Sequence, residues 1–322
     1  MLMETLSEPT FFLILKIAST IFAILTVVGW FGNGLIVWTT IRNKCNILIA
    51  IQASSDVIHQ LGHFPFVYFA YKELLIPQRT CFWIYIVSFT AIDVSCVTMI
   101  FIALDRLICV KFPAFHSKVK TSHYVSLTLG ICFTYSALFK LFSYLNLIDN
   151  PTMCVAPESH PPETAAIWFM STLVLNFLVI SIYLILTCLS KQTLSDSKAL
   201  NRSINTIVVA HIFGWVLTMV CNFVSKTLFT GRNMAIAMEA LTGIPINFNM
   251  VNPVFIYYFR STLYRTEFQK VLGISGSKLV ILEASLLPVS PLCASFIFFE
   301  LLAHWKPSDS WQLGAVRRIR KT

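Results

Sequence analysis

Residues Phe82–Val110 read FWIYIVSFTAIDVSCVTMIFIALDRLICV. Between Phe82 and Leu104 the single charged residue is Asp93, and charge returns only as Asp105-Arg106. A run of about 20 mostly apolar residues is what a helix needs to cross a hydrocarbon core of roughly 30 Å. Cys81 and Arg106 stand 25 residues apart, about 37 Å of helix at 1.5 Å per residue. That is one full crossing, with a cysteine at one interface and an Asp-Arg pair at the other.

Six further apolar runs flank this one, at Phe11–Trp38, Ile47–Phe69, Tyr124–Leu147, Thr164–Leu189, Ile204–Leu228 and Met234–Phe259. Of the 322 residues 56% are hydrophobic and 12% charged. A soluble domain carries about 25% charged residues, so this chain cannot clothe a water-soluble globule. The expected fold is therefore an all-α membrane protein, a seven-transmembrane helix bundle. Met1–Thr10 carry Glu4 and Glu8 without a basic stretch, so the first span is expected to serve as its own uncleaved insertion signal.

The net charge of +9 is not a nucleic-acid signature, because the basic residues sit in short loops. Arg42 and Lys44 follow span one. Arg106, Lys111, Lys118 and Lys120 follow span three. Lys191, Lys198 and Arg202 follow span five, and Arg260, Arg265 and Lys270 follow span seven. The other side holds Glu4, Glu8, Asp149, Glu158 and Glu163, with Lys72, Glu73, Arg79 and Arg232 mixed in. The positive-inside rule then places the N-terminus outside. Of nine cysteines, Cys81 and Cys154 fall on that outer, oxidising side. They are either a disulfide pair or two free thiols.

Polar residues inside lipid need individual reasons. Span one has Gly32-Asn33-Gly34, small residues that let helices approach, with an amide able to bridge neighbours. In span two Gln52, Asp56, His59 and His63 recur at steps of four, three and four, which puts them on one inward stripe. The stripe is either functional or a structural polar seam. Pro65 is expected to kink its far end. In span three Asp93 is either a functional carboxylate or bonded to a neighbouring span. Ser95, two residues on, points to nearly the opposite side. Span seven has Asn247, Asn249 and Asn252, then Pro253. After Phe259 the segment to Lys270 reads as a short amphipathic helix on the inner membrane face.

Taken in order, these motifs resemble rhodopsin-like seven-helix receptors, and more closely the nematode chemoreceptors called serpentine receptor class SX. The residues that carry the likeness are Gly32-Asn33; Ile47-Leu-Ile-Ala-Ile-Gln through Asp56-Val-Ile-His59-Gln-Leu-Gly-His63; Cys81; Ile102-Ala-Leu-Asp105-Arg106-Leu through Phe112-Pro113; and Tyr257-Tyr258-Phe259-Arg260-Ser261. The likeness runs from Phe11 to Lys270. It implies that Asp56, with Asn33, Ser95 and Asn252, is similar to a polar cluster able to hold sodium at Asp56. It implies that Arg106 leaves Asp105 for a G protein on activation, and that Cys81 and Cys154 form the superfamily's outer disulfide. It also implies a multi-pass protein of the cell membrane, in sensory-neuron cilia. The chain departs from the pattern at Leu107, where an aromatic is common. It departs again in span six, which has Trp215 but no proline, and in the longer spacing from Asn252-Pro253 to Tyr257.

The expected function is a chemosensory G-protein-coupled receptor for a small-molecule or peptide ligand. Its partners would be a heterotrimeric G protein and the lipid bilayer, with no nucleic acid and no cofactor. Candidate ligand residues are His63, Tyr68, Tyr85, Ser88, Asp93, Trp168, Asn176, Asn222, Lys226 and Glu239, with Lys226 and Glu239 as a candidate pair across spans six and seven. Candidate coupling residues are Asp105, Arg106, Lys111, Phe112, Pro113, Asn252, Pro253 and Tyr257, with the 191–202 loop. The alternative is a seven-helix ligand-gated channel or transporter. Against these stand the charge distribution and the lack of two related halves. No enzyme motif accompanies the aspartates, and no Cys/His spacing suits zinc. Residues 1–272 are expected to form the receptor domain. Residues 273–322 form a tail, apolar from Leu279 to Trp305, whose basic end (Arg317, Arg318, Arg320, Lys321) argues against an eighth span.

Overall fold

In lipid the backbone has no water to bond, so each crossing segment must satisfy its own N–H and C=O groups as a helix. The computed structural model describes residues 6–42, 47–190, 206, 210, 214–225 and 231–273. Helix α1 is Glu8–Arg42, and span two is split into α2 (Ile47–Gln60) and α3 (His63–Lys72). Then come β1 (Ile76–Pro77), α4 (Gln78–Lys111), α5 (Pro113–His116) and α6 (Thr121–Leu145). These are followed by β2 (Pro151–Thr152), a 3-10 turn at Pro157–Ser159, and α7 (Pro162–Ser190). Gly214–Ser225 is α8, Arg232–Arg260 is α9 and Thr262–Leu272 is α10. The fold is the seven-transmembrane helical bundle expected from the sequence. Lys226, the 191–202 loop and most of the 273–322 tail lie outside the described residues.

Helix α4 is the hub of the unit Met1–Pro253. In its most apolar window 72% of residues are buried, against 22% in α6 and 28% in α7. The latter two turn Leu138, Met170 and Leu184 outward, where lipid is as favourable a neighbour as protein. One end of α4 is stapled. Cys81 is bonded to Cys154, with Cα atoms 5.3 Å apart. Beside the bridge β1 and β2 pair antiparallel, Ile76 opposite Thr152. The Gln78 amide donates to the carbonyls of Glu158 (3.1 Å) and His160 (2.9 Å). The 150–160 loop is thereby fixed across the helix ends.

Span two breaks at Leu61-Gly62, one turn ahead of Pro65. Proline lacks an N–H, and its ring crowds the carbonyl four residues back, here that of Leu61. The turn tightens in response, with Gly62 N–H on His59 O at 3.0 Å. Two hydroxyls of α4 collect the loosened carbonyls. Tyr85 donates to Gly62 O at 2.7 Å, and Ser88 donates to His59 O. A Cβ on Gly62 would run into Ser88 and would meet Tyr85 Cε1 at 2.9 Å. In α1 the close approach falls at Gly29, against the Gln60 amide, and not at Gly34, which has nothing within 4 Å.

The segment from Val254 onward forms its own unit. Tyr257 stacks on Tyr264 with ring centroids 4.4 Å apart. Arg265 donates to the carbonyls of Tyr258 and Phe259, each at 3.0 Å, which satisfies the frayed end of α9. Gly273, at φ 66°, closes α10.

Gly62→Ala is expected to lose about 1–3 kcal/mol through overpacking, seen as a fall of several degrees in Tm in detergent. Gly34→Ala is expected to hold or raise Tm, since alanine is the better helix former by about 0.5–1 kcal/mol. Equal effects at the two glycines would remove the packing explanation of the break.

Candidate functional site

Three side chains fan out from α4 and organise the bundle. Asp93 is 0% exposed and turns toward α6 and α7. Its Oδ2 accepts from Ser136 Oγ (2.6 Å) and from Lys140 Nζ (2.7 Å), and its Oδ1 from Trp168 Nε1 (2.7 Å). The Lys140 ammonium also lies 4.3 Å from the centre of the Phe89 ring, a cation–π placement. Ser95 turns the other way and donates to Asp56 Oδ1 at 2.8 Å. Ser88 holds the break in span two. Lys140 was not anticipated from the sequence, yet it is the one charged residue of Tyr124–Leu147. A lone intramembrane cation calls for a counter-ion, and Asp93 was the available one.

A cavity opens between these helices at the disulfide end. The space not filled by atoms, counting its mouth, is about 780 Å³. Phe22, His59, His63 and Phe66 form one wall, Phe89, Trp168 and Trp215 another. Asn222, Glu239 and Asn247 supply polar groups, and Val155, Ala156 and Pro157 reach over from the loop that Cys154 anchors. Among the sequence candidates, His63, Tyr85, Ser88, Trp168, Asn222 and Glu239 line it. Tyr68 does not, because its side chain turns away and is 55% exposed. Asn176 does not either. Its amide bonds back to Thr172 O of its own helix at 2.8 Å. Asp93 stands behind the wall, spent on the network with Lys140. His59, Thr218, Trp215 and Asn247 line the cavity without having been named as ligand residues. The period-four step from His59 to His63 was the available signal.

The polar cluster around Asp56 is divided. Ser95 meets Asp56, whereas Asn33 Nδ2 donates to Met250 O at 2.9 Å. A hard cation bound here would be held by the Asp56 carboxylate and the Ser95 hydroxyl, oxygen donors of the kind such ions take. At the far end of α4, Asp105 Oδ1 lies 2.9 Å from His116 Nε2, and Arg106 Nε is 3.9 Å from Asp105 Oδ2. Phe112 is exposed, with Lys111 over its ring, and Pro113 opens α5.

In the loop over the cavity, burial and the neighbouring Glu239 carboxylate push Glu158 up from its ordinary 4.5 to about 7, against the pull of the Thr152 hydroxyl. His160 is held down, to about 3, by burial and by the Lys140 charge.

The sequence model of the family described as serpentine type 7TM GPCR chemoreceptor Srsx matches residues 26–272. That match runs from within α1 to the last residue of α10. The chain is 24% identical over 324 residues to the galanin-like G-protein coupled receptor npr-9 of Caenorhabditis elegans, covering 82% of this chain and 74% of that one. It is 29% identical over 174 residues to neuropeptide Y receptor type 2 of Gallus gallus, covering 49% of this chain and 43% of that one.

Two predictions follow from this geometry. Asp93→Asn or Lys140→Met alone strands a buried charge and is expected to cost about 3–5 kcal/mol. The double variant should be more stable than either single one in a thermal-melt cycle, and simple additivity would contradict the ion pair. For Glu158, the folded form holds its proton more tightly than the unfolded form. Its contribution is therefore full below pH 4.5 and is lost as pH rises through about 7. Glu158→Gln should melt higher than the parent at pH 8 and converge with it near pH 4.5. His160 works in the opposite sense but is common to both proteins. A pH-independent difference would show that the carboxyl is not buried beside Glu239.

Proposed function

The chain belongs to the serpentine type 7TM GPCR chemoreceptor Srsx family, and from that premise we propose that it is a chemosensory receptor which binds a small extracellular molecule or peptide and activates a heterotrimeric G protein. The observation that carries this reading is helix α4. Its 34 residues run from the disulfide and the cavity wall to Asp105-Arg106. One rigid element thus touches both the ligand side and the coupling side.

The disulfide also bears on orientation. A bridge persists in an oxidising compartment, and the basic loops lie on the opposite side, so the N-terminus and cavity face outward. Arg106, Lys111, Phe112 and Pro113 then face the cytosol beside His116, with Asn252, Pro253 and Tyr257 in α9 as further coupling residues. By the family likeness the protein resides in the cell membrane of sensory neurons, in their cilia. One relative is named as a neuropeptide receptor, which keeps peptides within the ligand class. A ligand shifts the receptor only by as much as it prefers one arrangement of the helices over another. Sodium at Asp56 and Ser95 would act by the same rule, favouring the arrangement that keeps those oxygens together.

The test is nucleotide exchange on a co-expressed G protein while extracellular compounds and peptides are screened. An active compound should stimulate exchange with the parent receptor. With Arg106→Ala, binding should persist while exchange falls to the level of receptor-free membranes. Full exchange with Arg106→Ala would remove that residue from the coupling mechanism, and ion flux without exchange would favour a channel.

A further inference from the structure

The 150–160 loop reaches over the cavity, and where it meets α9 two acids touch. From that contact we infer that the protein has a second extracellular input, the proton itself: Glu158 and Glu239 share one proton that holds the rim of the cavity shut, and its loss releases the rim. The inference rests on the receptor reading for its orientation, since the proton must arrive from outside.

Toward α4 the loop is held by bonds that do not titrate. Cys154 is bonded to Cys81, β2 pairs with β1, and the Gln78 amide donates to Glu158 O and His160 O. Toward α9 there are three kinds of tie. Arg232 Nη2 donates to Pro151 O at 2.6 Å. Met153 and Val155 share an apolar cluster with Ile236, Ala237 and Ala240. These two hold the stretch from Pro151 to Val155. The third is a hydrogen bond between the side chains of Glu158 and Glu239, and it ties the Pro157–Ser159 turn. Ala156 and Pro157 line the cavity, as does Glu239, so this turn is part of the rim.

Ionised carboxylates only accept hydrogen bonds, so a bond between two carboxyl groups exists only while one of them holds a proton. Glu239 is buried, and Glu158 is half-buried at the outer surface. Glu158 Oε2 also accepts from Thr152 Oγ1 at 2.8 Å. The other charged or titratable groups around the pair are Arg232 at the start of α9, His59, His63 and Tyr85 in the cavity lining, and His160 with Lys140 behind the loop. Among the described groups, Glu239 and Arg232 are those whose charge acts on Glu158. Arg232 favours the ionised form, but burial and Glu239 outweigh it, and the proton leaves as pH rises through about 7. The O–H bond then breaks and the proton passes to water of the outer medium. Two carboxylates are left facing each other, a pairing that like charges disfavour.

The experiment introduces a thiol into the cavity wall as Ala165→Cys and measures its labelling by a neutral maleimide in the purified full-length protein. Labelling of the protein without Ala165→Cys is subtracted. Rates are compared at each pH with those in a Glu158→Gln background, which cancels the titration of the thiol itself. A group with its midpoint near 7 is about one-tenth ionised at about pH 6 and about nine-tenths at about pH 8. The parent-to-variant ratio should therefore rise by up to about ninefold between them. Glu239→Gln should flatten the response as Glu158→Gln does. Thr152→Val, which removes a bond that favours the ionised form, should move the midpoint to higher pH. A ratio that does not change with pH overturns the inference, as does a pH response that persists with Glu239→Gln or an unmoved midpoint with Thr152→Val. Because labelling is read without signalling, a pH-dependent ratio in a protein that drives no nucleotide exchange would sink the proposed function and leave this inference standing. A flat ratio in a protein that does drive exchange would do the reverse.

Discussion

Backbone polar groups inside a bilayer must find their partners within the protein, and buried charges there must be paired; this one constraint orders the structure. It makes the spans helical. It also decides what can be tolerated where a helix is broken. Span two fails at Leu61-Gly62 because Pro65 cannot continue the ladder, and the break survives because Tyr85 and Ser88 take up two carbonyls. The same constraint sets the fate of Asp93. A carboxylate at that depth costs several kcal/mol unless neutralised. Lys140, Ser136 and Trp168 between them engage both of its oxygens.

These two repairs meet on α4 and give it an uneven set of faces. One face holds the broken span, a second holds the ion pair to α6 and α7, and a third meets Asp56 through Ser95. Polar bonds in this arrangement join helices that lipid alone would not drive together, since apolar side chains gain little by leaving hydrocarbon for protein. The cavity occupies what remains near the disulfide end. His59 and His63, on either side of the break in span two, both stand in one of the cavity's walls.

Much of the fold was legible because hydropathy is a one-dimensional signal and the bilayer a one-dimensional constraint. The seven runs, the two cysteines at one end of the bundle and the opposite facing of Asp93 and Ser95 needed only length, charge and helical period. The cavity lining was less legible because period gives a face of a helix but not what stands opposite it. Tyr68 reads as inward by chemistry, yet its ring is amphipathic and sits well at an exposed boundary. Asn176 reads as a ligand group, yet an amide can satisfy itself on the preceding turn. The break in span two was legible only as a kink due to Pro65, without its exact residues. Proline marks where a hydrogen bond is lost, whereas the turn forms where glycine lets a neighbouring helix come close.

Trp168 ties the site to the frame. Its ring is cavity wall, and its Nε1 proton belongs to Asp93. The ring also lies against Phe89, with centroids 4.8 Å apart, and near Trp215, at 6.1 Å. Any group in the cavity that moves this ring must lengthen a charge-assisted hydrogen bond in a medium of low dielectric, where such bonds are strong. The ion pair then has one donor fewer and must rearrange with Ser136 and Lys140 on α6. Coupling of this kind is reciprocal. Whatever ligand prefers a displaced Trp168 loosens the Asp93 network, and whatever loosens that network raises the affinity for such a ligand.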